Sequence, residues 1–252
     1  MQSQAAPLPA SPLQNGSLRL FRLFGVDVFL HWSWVLVAMY QINRNRTRGA
    51  GAGMEYALIL SIAEYLAIFA IVLVHEFGHA LACKSVGGVA ERIVLWPLGG
   101  LAFVQPPERP GALLWAIAAG PLVNVILLPL TILPAMAVGA FASHNTLLTT
   151  FLFELAVINV VLLVFNMLPV YPLDGGQILR ALAWFVIGRA PSLIFAAIVG
   201  LIGCALLAAV TLRWGDWWLG IMVAFMAMQS LTALRAGRAM MRLDKLPRHA
   251  HA

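Results

Sequence analysis

The sequence predicts an all-α membrane protein with six transmembrane helices and a small membrane-surface β-hairpin between helices two and three. Hydrophobic residues make up 62% of the 252-residue chain and charged residues only 10%, whereas soluble domains are about 45–50% apolar and about 25% charged. The mean hydropathy is +0.89. The apolar residues form runs whose lengths are close to the roughly 20 residues that a helix needs to cross a bilayer. This composition excludes a soluble enzyme and a disordered chain.

The six predicted helices follow one another along the chain and differ in character. The first is short and partly polar, whereas the second is long enough to cross the bilayer with some tilt. The third contains three prolines, so neighbouring helices must satisfy the carbonyl groups that these prolines leave unpaired. We predict the helices at residues 28–42, 55–83, 112–141, 147–168, 192–212 and 217–234.

Two segments interrupt this helical pattern. Residues 89–104 combine short β-branched runs with a proline and two glycines, a pattern that predicts a small hairpin. The hairpin is too apolar for a solvent loop, so we expect it to enter the membrane surface, where protein must cover its backbone. Residues 169–176 contain two prolines and two glycines and are predicted to end the fourth helix.

The two ends of the chain are predicted to be tails that flank one membrane core. Residues 1–18 contain no Lys or Arg and no apolar run, which argues against a signal peptide and predicts a disordered cytoplasmic tail. Residues 19–235 form the six-helix core. Residues 236–252 are rich in basic residues and are predicted to be a basic cytoplasmic tail beside anionic lipid.

The charge balance fits a lipid bilayer as the partner and argues against nucleic acid. The chain has 16 Lys and Arg against 10 Asp and Glu, a formal net charge of +6. Basic residues of membrane proteins collect in cytoplasmic loops, and here they are not interleaved with aromatic residues on one face. Placing residues 143–146 outside leaves 12 of the 16 basic residues inside. We therefore predict that both termini are inside, and we expect a prokaryotic inner membrane.

The second predicted helix carries the motif His75-Glu76-Phe77-Gly78-His79. Residues four apart share one face of a helix and lie about 6 Å apart along its axis, so the two imidazoles can bind one Zn²⁺. Glu76 can then take a proton from water bound at the open side of the metal. Ionisable residues are costly in an apolar segment and are mostly functional there, which disfavours a purely structural role for the motif.

A third metal ligand must come from elsewhere, because catalytic zinc usually has three protein ligands and a water molecule. The best candidate is Asp174, which follows the helix break. Two glycines come directly after it and allow close approach of the backbone or unusual dihedral angles. The alternative is that Asp174 caps a helix that starts at Gly175; we favour the ligand.

At these residues the sequence resembles the site-2 protease family of intramembrane zinc metalloproteases. The resemblance rests on the motif at 75–79 and on Leu173-Asp174-Gly175-Gly176 later in the chain. It extends to Ala119-Gly120-Pro121-Leu122-Val123-Asn124, to Asn166 and Pro169, and to Pro97-Leu98-Gly99-Gly100 in the predicted hairpin. It covers about residues 19–235 and looks like a compact form of the family without PDZ or CBS domains.

The resemblance implies zinc-dependent intramembrane proteolysis of a membrane-tethered protein, such as a signalling or transcriptional regulator. His75, His79 and Asp174 would hold Zn²⁺, and Glu76 would act as general base and then as general acid. Asn124 and Asn166 resemble family asparagines that hold the substrate strand or the developing oxyanion. The alternative for both asparagines is an interhelical hydrogen bond, which transmembrane bundles often use.

Two other functions compete with proteolysis. A non-catalytic metal-binding scaffold of the same fold would be expected to lack Glu76 or a ligand, and the sequence keeps all four residues. A small transporter with an ion site at the membrane midplane would favour internal repeats and paired broken helices. The proline-rich third helix has no matching half in this sequence, so the protease interpretation leads.

Overall fold

The structure is a computed structural model that describes residues 13–14, 16–48, 54–96, 99–141, 147–215 and 217–244. Within these residues, five strands and seven helices alternate in four blocks. The strands are β1 (Leu13–Gln14), β2 (Ser17–Leu23), β3 (Val26–His31), β4 (Val89–Trp96) and β5 (Gly99–Gln105). The helices are α1 (Trp34–Arg48), α2 (Met54–Ser85), α3 (Pro110–Phe141), α4 (Leu147–Asn166), α5 (Asp174–Ile187), α6 (Arg189–Trp214) and α7 (Trp217–Asp244).

Five helices of the described chain are long and apolar enough to cross a membrane. They are α2, α3, α4, α6 and α7, and they correspond to the second to sixth predicted helices. α1 has only 15 residues and α5 only 14, fewer than the roughly 20 that a bilayer requires. The mainly helical membrane fold is therefore confirmed, whereas the count of six spanning helices is not.

The prediction that the first helix starts at residue 28 is wrong, because that segment forms β3 and α1 begins only at Trp34. Val26 and Val28 are buried on one face of β3, with the half-buried Asp27 between them. β3 pairs antiparallel with β2 and parallel with β4. A short apolar run fits either a strand or a buried helix, and here pairing with distant strands decides.

The predicted hairpin is confirmed as β4 and β5, but it belongs to a larger sheet. The five strands lie in the order β1-β2-β3-β4-β5, and only β3 and β4 are parallel. β2 starts at Ser17 and so begins inside the predicted amino-terminal tail. Residues 1–12 of that tail lie outside the described residues. At the other end α7 continues to Asp244, past the predicted end of the core at residue 235, and residues 245–252 lie outside the described part.

The carboxy-terminal half of α2 packs on this sheet. The side chains of Val26, Val28, Ile93 and Leu95 are fully buried and pack in one cluster with residues of α2. Phe77, which lies inside the predicted metal-binding motif, belongs to the same cluster. The sheet therefore fixes the segment of α2 that carries the two histidines.

α2 and α3 approach each other closely at Gly78. A Cβ atom at this position would lie 2.7 Å from the carbonyl oxygen of Ala119 and 2.9 Å from a methyl carbon of Val123. Real Cβ contacts are longer than this, so only glycine permits the observed packing. The close approach brings α3 against the face of α2 that carries the motif.

We expect Gly78→Ala to lower the stability of the protein by about 1–3 kcal/mol, as overpacking of a tight contact does. Gly139→Ala is the matched control, because Gly139 also lies in a spanning helix, α3, and no atom lies within 4 Å of its Cβ position. In that open position alanine should be neutral or should stabilise the helix by up to about 1 kcal/mol. Thermal unfolding in one detergent checks both variants, and equal midpoints would contradict the packing argument.

Candidate metal centre

The two motif histidines present their side chains on one face of α2. His75 and His79 are both buried, and their Nε2 atoms lie 3.1 Å apart. The spacing of four residues in a continuous helix places them one above the other. Glu76 is also buried and lies on the turn between them.

Asp174 joins the two histidines although it is distant from them in the chain. It is the first residue of α5, and its carboxylate oxygens lie 3.1 Å from His75 Nε2 and 3.4 Å from His79 Nε2. One ligand atom from each residue lies within 4.8 Å of the other two. Leu173 is the N-cap of α5, with no side-chain capping bond, so the capping alternative for Asp174 is not realised.

The two glycines after Asp174 let α5 start directly against the preceding loop. A Cβ atom at Gly175 would lie 2.3 Å from the carbonyl oxygen of Met167, and one at Gly176 would lie 2.6 Å from the backbone nitrogen of Tyr171. No side chain fits in either place. The glycines therefore bring the first turn of α5, and with it the carboxylate, into the bundle.

The second nitrogen of each imidazole has a hydrogen-bond acceptor. His79 Nδ1 lies 2.9 Å from the carbonyl oxygen of Ala116, and His75 Nδ1 lies 2.5 Å from Asn124 Oδ1. A carbonyl oxygen only accepts, so His79 Nδ1 carries the proton. In the neutral ring its Nε2 then offers a lone pair to the centre of the site, which is how metal-binding histidines are oriented. His75 follows the same pattern, because its acceptor is the amide oxygen of Asn124, whose Nδ2 donates to Asn159.

The three groups need a positive charge between them. The Asp174 carboxylate faces the Nε2 atoms of both imidazoles, and with Nδ1 protonated these atoms present lone pairs rather than protons. The Asp174 Oδ2 atom is buried without a hydrogen bond of good geometry among the described residues. Two imidazole nitrogens and one carboxylate oxygen are ligands that Zn²⁺ accepts, so the donor set fits this metal.

Gly120 of α3 keeps the centre of the site open. A Cβ atom there would lie 2.3 Å from His79 Nε2 and 2.9 Å from His75 Nε2. The backbone of α3 thus forms one wall of the site, and any side chain at this position would fill the space between the donors.

Asn159 is a site residue that the sequence analysis missed. It lies on α4, is fully buried, and donates from Nδ2 to the backbone oxygen of Asn124 at 3.1 Å. Asn124 in turn donates to Asn159 Oδ1 at 2.8 Å. A chain of hydrogen bonds therefore runs from His75 through α3 to α4. An asparagine side chain inside an apolar helix is energetically costly unless it forms hydrogen bonds. Its presence in the apolar sequence of α4 was therefore the signal that could have identified Asn159.

The two predicted substrate asparagines have different surroundings. Asn124 is fully buried, and its amide group bonds to His75 and Asn159. This arrangement favours the interhelical hydrogen-bond alternative for Asn124. Asn166 is the last residue of α4, is partly buried, and lies two helical turns along α4 from Asn159, so it does not belong to the same hydrogen-bonded chain.

The sequence matches the family model of Peptidase family M50 over residues 63–140 and 129–210. A zinc metalloprotease of Methanocaldococcus jannaschii is 31% identical over 186 residues, which are 74% of this chain and 51% of that protein. Stage IV sporulation protein FB of Bacillus subtilis is 35% identical over 116 residues, which are 45% of this chain and 38% of that protein. This chain spans about half the length of the curated relatives it matches.

The fold is also similar to a solved structure, the site-2 protease from Methanocaldococcus jannaschii. The TM-score is 0.59 at 25% sequence identity, and the match covers 86% of this chain and 95% of that chain. The family match includes all six predicted site residues. Together with the five helices of spanning length, these findings identify an integral membrane protein.

We expect Gly120→Ala to abolish tight zinc binding, because the added methyl group would occupy the space between the two imidazoles. Gly220→Ala is the control, since its Cβ position has no atom within 4 Å. Zinc content after dialysis against a weak chelator, measured by elemental analysis, checks this. Equal zinc retention in both variants would contradict the assigned centre.

We expect Asn159→Leu to weaken zinc binding about 10-fold to 100-fold, as loss of an outer partner of a metal ligand does. The substitution removes the support of Asn124 and so frees the imidazole of His75 to turn. Thr211→Val is the control, because its buried hydroxyl bonds only within its own helix, to Ala208. Competition with a chromophoric chelator measures the zinc affinity. A wild-type affinity in Asn159→Leu would refute the role of the hydrogen-bonded chain in orienting His75.

Proposed function

We propose that this chain, which belongs to Peptidase family M50, hydrolyses a peptide bond within or near the transmembrane segment of a membrane-tethered protein. One observation carries the proposal: His75, His79 and Asp174 converge within 4.8 Å inside a helix bundle of spanning length. A metal-ligand set at this depth is costly unless it has a function. The names of the relatives, zinc metalloprotease and site-2 protease, support this chemistry.

The residues divide the work of hydrolysis between binding and proton transfer. His75, His79 and Asp174 would hold zinc, which when bound lowers the pKa of a water ligand and polarises a carbonyl group. Glu76 takes the proton of the attacking water as general base. It then delivers this proton to the leaving amine, so that the carboxyl and amine products are both released.

The free edge of the sheet is the proposed docking place for the substrate. β5 pairs with β4 on one side, and among the described residues no strand pairs with its other edge. β5 also packs against α2, the helix that carries the motif. An unwound substrate segment could add to this edge as a further strand, since main-chain hydrogen bonds accept many sequences. Gly99 and Gly100 start this strand.

We further propose a prokaryotic inner membrane, with both chain ends on the cytoplasmic side, an orientation that requires the 15-residue α1 to cross the membrane together with the five longer helices. Arg235, Arg238 and Arg242 are exposed on the last turns of α7, where anionic lipid of the cytoplasmic leaflet would attract them. With this orientation α2 runs inward, and the metal centre lies nearer the cytoplasmic end of α2 than its outer end. A signalling or transcriptional regulator released at this depth would enter the cytoplasm.

We expect Glu76→Gln to retain zinc and to lose cleavage by a factor of about 10² to 10⁴, the usual contribution of a general base. His79→Ala should lose both zinc and cleavage. The test uses the full chain in nanodiscs, with a panel of model transmembrane substrates and elemental analysis of zinc.

The outcomes separate the candidate functions. Cleavage by Glu76→Gln at the wild-type rate would refute the mechanism. Zinc binding by the wild type with no cleavage of any substrate would favour the alternative, a non-catalytic metal-binding scaffold of the same fold.

A further inference from the structure

The segment between α4 and α5 packs against α6 and α7. Asp174, the third proposed metal ligand, follows this segment directly. We propose that the α6–α7 pair clamps residues 167–173 and that Ser230 of α7 is a positioning residue for Asp174. This inference rests on the proposed zinc centre. Ser230 contacts neither the proposed metal ligands nor β5, the strand proposed to dock the substrate.

Ser230 provides the polar contact of the clamp. Its side chain is fully buried in an apolar helix, and its hydroxyl donates a hydrogen bond of 2.7 Å to the backbone oxygen of Tyr171. A buried hydroxyl without a partner is costly, so the bond fixes both groups. Tyr171 precedes Asp174 by three residues.

α6 provides the steric part of the clamp through two glycines. A Cβ atom at Gly200 would lie 2.8 Å from Ser230 Oγ and 2.8 Å from the backbone nitrogen of Tyr171. A Cβ atom at Gly203 would lie 2.6 Å from a methyl carbon of Val170. The loop therefore lies directly on α6 at both residues, without room for a side chain between them.

Apolar packing also anchors the loop to α6 and α7. Val170 is buried and packs in one cluster with residues of α6 and α7, namely Cys204, Val223 and Met226. Tyr171 packs against a second cluster, which contains Leu193 and Ala197 of α6 together with Ala233 and Leu234 of α7. Two successive loop residues are thus anchored to the same helix pair.

Short contacts couple the position of Tyr171 to the position of Asp174. The backbone nitrogen of Leu173 donates to the Val170 oxygen at 2.8 Å, and Gln177 Nε2 donates to the Pro172 oxygen at 2.9 Å. Gly175 and Gly176 press against the loop backbone, as described above. A shift of Tyr171 would therefore move the carboxylate, while His75 and His79 stay fixed on α2 by the sheet and α3.

The test measures zinc affinity rather than activity, because a purely structural role for Ser230 would lower only the unfolding temperature. We expect Ser230→Ala to bind zinc about tenfold more weakly, at the lower end of outer-partner effects. Ser192→Ala is the matched control: its hydroxyl is also fully buried, but it bonds to Arg189 within α6. Competition with a chromophoric chelator is measured on the full chain in detergent, with unfolding temperatures recorded at saturating zinc.

A second variant covers the case that Ser230→Ala does not fold. Gly200→Ala should displace the loop and weaken zinc binding at least as much, whereas Gly220→Ala, with no atom within 4 Å of its Cβ position, should not. Wild-type zinc affinity in folded Ser230→Ala or Gly200→Ala would overturn the clamp alone. Failure of the wild-type chain to bind zinc would overturn both the clamp and the proposed function.

Discussion

The structure depends on one constraint: two imidazoles and a carboxylate meet inside an apolar bundle, where they can stay together only around a positive charge. Ionised groups at this depth lose their hydration, and only close partners compensate for that loss. The glycines at 78, 120, 175 and 176 bring helix backbones near enough for the three side chains to meet. Asn124, Asn159 and the Ala116 carbonyl then orient the rings. Most of the unusual residues of the bundle are explained by this one requirement.

The sequence predicted the parts of the site whose signal is local. Two histidines four residues apart define a shared helix face without any knowledge of the fold, and an aspartate followed by two glycines after a helix break marks a turn into the bundle. The spanning helices were predicted for a similar reason, since length and hydropathy are properties of a single segment. α2, α3 and α4 begin and end within two residues of the predicted bounds.

The remaining features depend on contacts between distant segments. The sequence of β3 was predicted as the start of a helix, because a short apolar run fits either a strand or a helix. Only the pairing with β2 and β4 makes this segment a strand. Asn159 and Ser230 are single polar residues in apolar helices. Their roles are defined by Asn124 and by Tyr171, which lie 35 and 59 positions away in the chain. Helical periodicity carries no information about such partners.

The parallel pairing of β3 with β4 has a consequence for biogenesis. Parallel strands cannot be joined by a tight turn, and here the connection contains α1 and the whole of α2. The pairing of Asp27 with Arg92 is thus a contact of high sequence separation, the kind that forms late because loop closure precedes any gain. Because β4 follows α2 in the chain, β3 has no partner on that side until α2 and then β4 have been synthesised. The helix with both histidines is therefore synthesised before the five-stranded sheet that supports it can be completed.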